Sequence, residues 1–505
     1  MNISTFLEMA ADSFGDRIAL ISGATEVTYR QLAHHAQAAA AVATKNGAKH
    51  LALLATSSPA TAIGLFGSTN AGIPFVPLNY RLTKVEIGQL LERIVPALLV
   101  ADPALVEGVS IPAGITVMPV SEFISACGQD ETAIMASHAE DDGIAVQIFT
   151  SGTTGQPKAA VLRHQNLAAY ILETVEFGGA PKGDATIVTV PPYHIAGVAA
   201  ILSSIFAGRQ MVLMPNFDAA EWLRLIEVHR ISNAFLVPTM LTRVVDHVEK
   251  SGWVAKDLHL RALAYGGGRM PLSTIEKAMN IFPGVDFTNA YGLTETSSTI
   301  CLLGPDDHRQ AAAAREPLIR RRLTSVGCPL PSIELQIRDD SGAPLPPETP
   351  GNIYVRGSQV SGEYKGIGSL LDEDGWFFTR DRGFVDSEGY LFLEGRTDDV
   401  IVRGAENISP GEIEDVLLEY PGVADVAVAA IPDEEWGESV GAAIVAREGQ
   451  VLDVAELQAW VRDRLRSSRV PQYIIFVDAL PYNETGKMLR RVVKEDLGRA
   501  ITAHR

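Results

Sequence analysis

The sequence predicts an α/β protein: a large N-terminal domain of layered α/β sheets, a small antiparallel subdomain within it, and a small α+β C-terminal domain. Three observations carry this. Between Leu51 and Tyr265 short apolar runs alternate with helical stretches, the pattern of a layered sheet flanked by helices. After Pro329 the pattern changes to alternating strands joined by tight turns. From about Asp398 a further set of periodic segments reads as a separate compact unit. A chain of 505 residues is too long for one compact core, and the expected division is 1–397 and 398–505.

Taken in order, Thr28-Tyr29-Arg30-Gln31 has the form of a capping box, and the Ala-rich helix it opens stops at Asn46-Gly47. Leu51 to Ala55 reads as a buried strand, and Thr61 to Asn70 as a helix of small residues leading to Phe75-Val76-Pro77-Leu78. Thr83-Lys84-Val85-Glu86 opens another helix, and Ala97 to Ala101 is the next strand. Residues 121–143 are polar and weakly patterned and read as a connector. Ile144 to Phe149, Ile187 to Val190, Met211 to Met214, Ala234 to Val237 and Ala262 to Tyr265 are further buried strands. The polar, Ala- and Arg-rich tract 304–324 reads as an exposed loop or short helix. Ile333 to Ile337 and Asn352 to Arg356 are antiparallel strands, and 381–397 is a hairpin turning at Ser387-Glu388-Gly389. In the last unit, Ser409-Pro410-Gly411-Glu412 starts a helix. Val426, Val428 and Ala430 alternate as a strand, and Val454, Leu457, Val461 and Leu465 repeat at helical spacing.

Composition narrows the function classes. Apolar content of 47% and charged content of 20% are those of an ordinary globular protein. A net charge of −19 argues against non-specific binding to nucleic acid or to an anionic membrane surface. Cys127, Cys301 and Cys328 lack metal-ligand spacing and suit buried thiols in a reducing, cytoplasmic setting. The start of the chain carries Glu8 and Asp12 and has no basic-then-apolar leader, and no apolar run reaches the length of a membrane span.

The strand Ile144 to Phe149 runs into a loop rich in hydroxyl and glycine residues, Thr150-Ser151-Gly152-Thr153-Thr154-Gly155-Gln156-Pro157-Lys158. Glycines let backbone N–H groups turn onto an anion, hydroxyls add donors, and Lys158 adds charge, so the loop suits phosphates. It is not a Walker A loop, because its spacing differs and no Ser or Thr follows Lys158. Alone, such a loop also reads as a flexible surface turn.

The whole set of motifs resembles the adenylate-forming superfamily of acyl-CoA synthetases, luciferases and peptide-synthetase adenylation domains. The match covers nearly the whole chain in order. It runs from the phosphate loop through Tyr193-His194-Ile195-Ala196-Gly197, Gly266-Gly267-Gly268-Arg269 and Tyr291-Gly292-Leu293-Thr294-Glu295. It continues through Gly375-Trp376-Phe377-Phe378-Thr379-Arg380-Asp381, Gly395-Arg396-Thr397-Asp398-Asp399 and Pro481-Tyr482-Asn483-Glu484-Thr485-Gly486-Lys487.

The resemblance implies activation of a carboxylic acid by ATP to an acyl-adenylate, then transfer to a thiol, with coenzyme A as the acceptor. It implies that Thr150, Ser151, Gly152, Thr153, Thr154, Gly155 and Lys158 hold the β- and γ-phosphates, that Thr294 bonds the α-phosphate, and that Glu295, with Thr150, binds Mg²⁺. Gly267 and Gly268 admit the nucleoside, Tyr291 offers adenine a ring face, Asp381 takes the ribose, and Arg396 is its partner at the other side of the nucleotide. Lys487 bridges carboxylate and phosphate during adenylation. Rotation of a mobile C-terminal domain about Asp398 then replaces it with the stretch holding Arg403 and Gly404, which lines a thiol tunnel.

Blander readings stand beside these: a helix-start carboxylate for Glu295, a surface pair for Asp381 and Arg396, a solvated Lys487, and a core histidine for His194 rather than a gate beside the acid. The acid itself is expected to be medium-chain, long-chain or ring-bearing. A separate carrier protein is the alternative acceptor, a non-catalytic nucleotide- or acyl-binding relative is the reading from another class, and homodimerisation stays open. The chain departs from the family at Arg269, where Pro is usual, at Arg380, where Gly is usual, and in the shortened segment 361–372. Arg269 is expected to contact a polar end of the acid.

Overall fold

The computed structural model describes residues 1–129, 142–150, 157–254, 258–404, 406–433, 435–482 and 488–504. Its first sheet has nine strands in the spatial order Cys328–Pro329, Ser298–Leu303, Asp286–Leu293, Ala262–Gly266, Asn233–Leu236, Ala185–Val188, Gln210–Leu213, Ile18–Ser22 and Thr25–Thr28. The central strands pair in parallel, and antiparallel strands close both edges. The second sheet has eight, ordered Gly368–Ser369, Glu363–Tyr364, Lys158–Arg163, Ile144–Thr150, Phe75–Pro77, His50–Leu54, Ala97–Ala101 and Ile115–Pro119. A four-stranded antiparallel sheet holds Glu334–Arg338, Gly351–Arg356, Phe377–Val385 and Leu391–Arg396. The fourth sheet holds Glu406–Ile408, Ile401–Arg403, Gly437–Ala446, Val423–Asp433 and Tyr473–Phe476.

Helices fill the space between the two large sheets, and residues of Ser4–Phe14, Tyr29–Lys45, Pro59–Asn70 and Ile195–Ala207 share one apolar core. All twelve residues of Pro59–Asn70 are buried. This burial on every side explains its small residues. A Cβ at Gly67 would lie 2.5 Å from the Cβ of Ala39, so only glycine lets these two helices approach so closely. The predicted capping box, Thr28 with Gln31, is present, and the helix start read at Thr83 carries one too, with Glu86. The core of the last unit is drawn from residues 401–474, with Val493 and Leu497 of the final helix packing on the other face of its sheet.

One expectation about the fold fails. Val120–Gln129 is a helix, with Phe123 and Cys127 fully buried, rather than a connector. Its polar residues mask two apolar positions four apart, the spacing of one helix face. The tract 304–324, expected as an exposed loop or short helix, contains the helix Pro305–Ala313, which buries His308 and Ala311 against the core. The Tyr265 hydroxyl donates to Nε2 of His308 at 2.9 Å, while Nδ1 meets the Gly304 carbonyl at 2.8 Å. A buried imidazole satisfied at both nitrogens holds this segment in place.

Candidate functional site

The strands Ala262–Gly266 and Asp286–Leu293 run in parallel and end side by side. The chain leaves the first through exposed Gly267 and Gly268 and the second through the tip Thr294–Thr296. Ligands of open α/β sheets bind at such carboxyl ends. The tip is tightly built. A Cβ on Gly292 would lie 1.8 Å from the Ser298 carbonyl oxygen, so the hairpin closes only with glycine there. Ser297 and Ser298 have φ of 56° and 112°, and the Gln359 amide donates to the carbonyls of Thr296 and Thr299 at 3.0 and 2.7 Å. Strain at this tip is held by side chains around it.

On one side of the tip lies a triad of buried Tyr291, buried Asp381 and partly exposed Arg396. The Tyr291 hydroxyl donates to Oδ2 of Asp381 at 2.6 Å, and Arg396 reaches Oδ1 of the same carboxylate at 3.2 Å. Asp381 and Arg396 face each other across adjacent antiparallel strands, so the sheet register sets the pair. Burial and then the Asp381 charge hold the Tyr291 pKa well above its usual value, which keeps the phenol protonated as a donor. The Tyr291 ring packs among Ile300, Val355 and Phe377. The sequence reading gave adenine the ring face; here the ring is buried, and its hydroxyl is what meets Asp381.

On the other side lie Thr150, Lys158, Glu295 and Tyr364. The Tyr364 hydroxyl donates to Oε1 of Glu295 and lies beside Thr150, while Nζ of Lys158 sits 5.8 Å from the Tyr364 ring centroid. These are hard oxygen donors beside one cation, a fit for a divalent ion shared with phosphate oxygens. Among the described residues no group of three or more His, Cys, Asp or Glu is gathered, so such an ion would complete its shell from the nucleotide and water. Ser151, Gly152, Thr153, Thr154, Gly155 and Lys487 lie outside the described residues.

With this geometry, comparison with known proteins is decisive. The AMP-binding enzyme family matches residues 7–365, and the AMP-binding enzyme C-terminal domain matches 412–487. The chain belongs to the AMP-binding enzyme family. It is 31% identical over 485 residues to a feruloyl-CoA synthase of an Amycolatopsis species, covering 94% of this chain and 95% of that one. It is 32% identical over 453 residues to the fatty acid–[acyl-carrier-protein] ligase ScoC of Streptomyces coeruleorubidus, covering 85% and 83%. The amide bond synthetase McbA of Marinactinospora thermotolerans superposes with a TM-score of 0.86 at 28% identity, covering 98% and 100%. Membership in this adenylate-forming superfamily carries its general chemistry, activation of an acid as its adenylate.

The family departures now have physical positions. Arg380, exposed, has φ of 62°, the left-handed region that explains why the family's AMP-binding enzymes use glycine there. An arginine in that conformation costs about 1 kcal/mol. Arg269, expected at a polar end of the acid, lies here against carboxylates of the last unit. Its guanidinium pairs with Asp415, with Glu414 at 3.9 Å, on the helix Pro410–Leu418 of the last unit. Glu414 in turn takes Arg490 at 2.5 Å, and Arg490 reaches Asp399 at 3.5 Å.

His194 caps the helix Ile195–Ala207 beside Tyr193, ring centroids 4.6 Å apart, and Tyr193 stacks edge-on to Tyr80 at 5.3 Å. Burial, then the charge of Arg81, brings the His194 pKa down to about 4, so the ring is neutral at pH 7. Among the described residues its buried Nε2 has no hydrogen-bond partner, as is also true of Nδ1 of His35 and of His50.

In the last unit, exposed Gly404 donates its N–H to the Trp436 carbonyl at 2.7 Å, and the Arg403 guanidinium lies 5.5 Å from the Trp436 ring centroid. Sequence reasoning missed Tyr364 and Trp436. The only local signal for either is an aromatic in a glycine-containing turn.

Proposed function

We propose that this chain is an AMP-forming acid–thiol ligase that makes an acyl-adenylate and passes the acyl group to coenzyme A. In the first step a carboxylate oxygen bonds to the α-phosphorus of ATP, the bond to the β-phosphate oxygen breaks, and pyrophosphate leaves with the electron pair. In the second step a thiolate bonds to the acyl carbon and AMP departs.

Asp381 and Arg396 would hold the ribose, with Tyr291 fixing Asp381. Thr150, Ser151, Gly152, Thr153, Thr154, Gly155 and Lys158 would cradle the β- and γ-phosphates, and Thr294 the α-phosphate. Glu295 and Thr150 would hold Mg²⁺, which supplies positive charge at the departing pyrophosphate. Lys487 would offset repulsion between carboxylate and phosphate. The unit 398–505 would turn about Asp398 between the steps, so that Arg403 and Gly404 replace Lys487. Neutral His194, with its unpartnered Nε2, would face the acid.

The observation that carries the reading is the convergence of the Asp381 triad and the Glu295 cluster on either side of one strand tip. Similar proteins use coenzyme A, a carrier protein or an amide-forming acceptor. The Arg403–Trp436 pair favours coenzyme A here, because a half-exposed indole (45%) beside a guanidinium suits a purine and its phosphates. The feruloyl-CoA synthase supports a ring-bearing acid among the medium-chain, long-chain and ring-bearing choices.

The test is a panel of such acids, scored for pyrophosphate release without thiol and for AMP and thioester with coenzyme A. Trp436→Ala is expected to raise the apparent KM for coenzyme A about ten-fold and leave acid-dependent pyrophosphate release unchanged. Pyrophosphate release without thioester would assign a different acceptor.

A further inference from the structure

The segment 361–364 grips Glu295 at both ends. The N–H groups of Ser361 and Gly362 donate to the Glu295 carbonyl at 2.8 and 3.1 Å, and the Ser361 hydroxyl approaches the same oxygen at 3.2 Å. At the other end the Tyr364 hydroxyl donates to Oε1 of the carboxylate. Among the described residues, Oε2 takes no protein hydrogen bond.

Tyr364 is itself fixed from three directions. It pairs with Ala160 across the sheet, its hydroxyl lies beside Thr150, and Lys158 lies over its ring at 5.8 Å. The neighbouring Glu363 forms a two-pronged ion pair with Arg163 at 2.8 and 2.9 Å, which locks the register of this short strand. One phenol therefore touches a group from the end of Ile144–Thr150, a group from the Thr294–Thr296 tip and a cation from Lys158–Arg163.

We propose that Tyr364 is a positioning residue that fixes the Glu295 carboxylate, leaving its second oxygen for the divalent ion that accompanies ATP. The idea rests on the reading of Glu295 as a metal ligand. Its physical basis is general: a carboxylate ligand held by an outer hydrogen bond keeps one orientation, and loss of that bond lowers metal affinity. The shortened segment that follows, with Leu370 donating to the Gly362 carbonyl at 2.7 Å, brings the grip close to the tip.

The experiment uses the full chain with ATP, no acid present, and Mn²⁺ as the probe. Protein-bound Mn²⁺ is measured by the loss of the free-ion EPR signal, and ATP binding in EDTA is measured by calorimetry. Tyr364→Phe keeps the ring over Lys158 and removes only the hydroxyl. It is expected to weaken Mn²⁺ binding in the ternary complex by about 10- to 100-fold while ATP binding in EDTA stays within two-fold.

Glu295→Gln is expected to weaken Mn²⁺ at least as much. If Glu295→Gln binds Mn²⁺ as the unaltered chain does, the metal-ligand reading itself falls. If Glu295→Gln is weakened and Tyr364→Phe is not, the role given to Tyr364 falls alone. Equal loss of ATP with and without metal would make Tyr364 a structural residue and also overturn the proposal. Should Tyr364→Phe fail to fold, Glu295→Asp draws the carboxylate one methylene back from the phenol and must show the same metal-specific loss.

Discussion

The nucleotide corner and the seam between the large sheets and the last unit use the same chemistry, an arginine on a carboxylate, to opposite ends. At the corner, Asp381 is nearly buried and takes a phenol and a guanidinium at once. At the seam, Arg269 and Asp415 both keep more than 40% of their side-chain surface in solvent. The first arrangement is costly to break, because any member left alone is a desolvated polar group. The second is cheap to break, because water replaces the partner. A surface that binds ATP profits from fixed groups, whereas a contact between units that exchange poses must open. The proposed turn about Asp398 therefore meets resistance at Arg269 and at Ser409, whose hydroxyl donates to the Glu394 carbonyl, while the chain from buried Glu414 through partly exposed Arg490 to Asp399 stays within the last unit. Burial raises the pKa of Glu414, but Arg490 outweighs it and holds the carboxyl below its usual value.

Asp381→Asn is the sharpest way to break the corner. Arg396 loses its counter-charge, and Tyr291 keeps only an amide oxygen as acceptor. The expected loss of stability is about 1.5–3 kcal/mol, read by denaturant melts, together with a KM for ATP raised more than about ten-fold. A variant with normal ATP affinity and normal stability would reduce the triad to a surface pair. At the seam the expected effects are smaller. Arg269→Ala should cost under about 1 kcal/mol, and its visible effect is on pose. Tryptic cleavage near 397–399 should quicken about two- to five-fold, and high salt should produce the same change in the unaltered chain. Unchanged cleavage in both would show that the clasp does not restrain the last unit.

Much of this was legible in the residues, and what was not has physical causes. The capping box at Thr28, the helix start at Thr83 and the strand Ala97–Ala101 depend on neighbours in the chain, so local pattern located them. The helix Val120–Gln129 hid because two buried residues, Phe123 and Cys127, anchor an otherwise polar segment. Motif order placed Asp381, Arg396 and Glu295, but motifs do not state contacts. Tyr364 reaches Glu295 only because Glu363–Tyr364 adds to the edge of Lys158–Arg163, a pairing between segments two hundred residues apart in sequence that no window reveals. The partner of Arg269 is hidden for the same reason: Asp415 lies 146 positions away. The Arg380 substitution was visible as an oddity, while its φ of 62° gives the reason glycine is usual.

The mildest test contrasts these charged pairs with a group kept neutral. The His194 pKa, brought down to about 4 by burial and then by Arg81, lies below the ordinary 6.5. As pH falls through 6.5 the unfolded chain takes a proton that the folded chain refuses, so stability drains until about pH 4 and then levels. His194→Gln removes that contribution. Its melting temperature should match the unaltered chain within a few degrees at pH 7.5 and fall less steeply between pH 6.5 and 4. His35, His50 and His308 are also held below their ordinary value by burial, so the unaltered protein has a shared acid limb and only the difference between the two proteins isolates His194. Parallel limbs would mean that His194 titrates freely and that its ring is open to water. A shallower limb in the variant, lost again when the acid substrate is added, would place Nε2 against that acid.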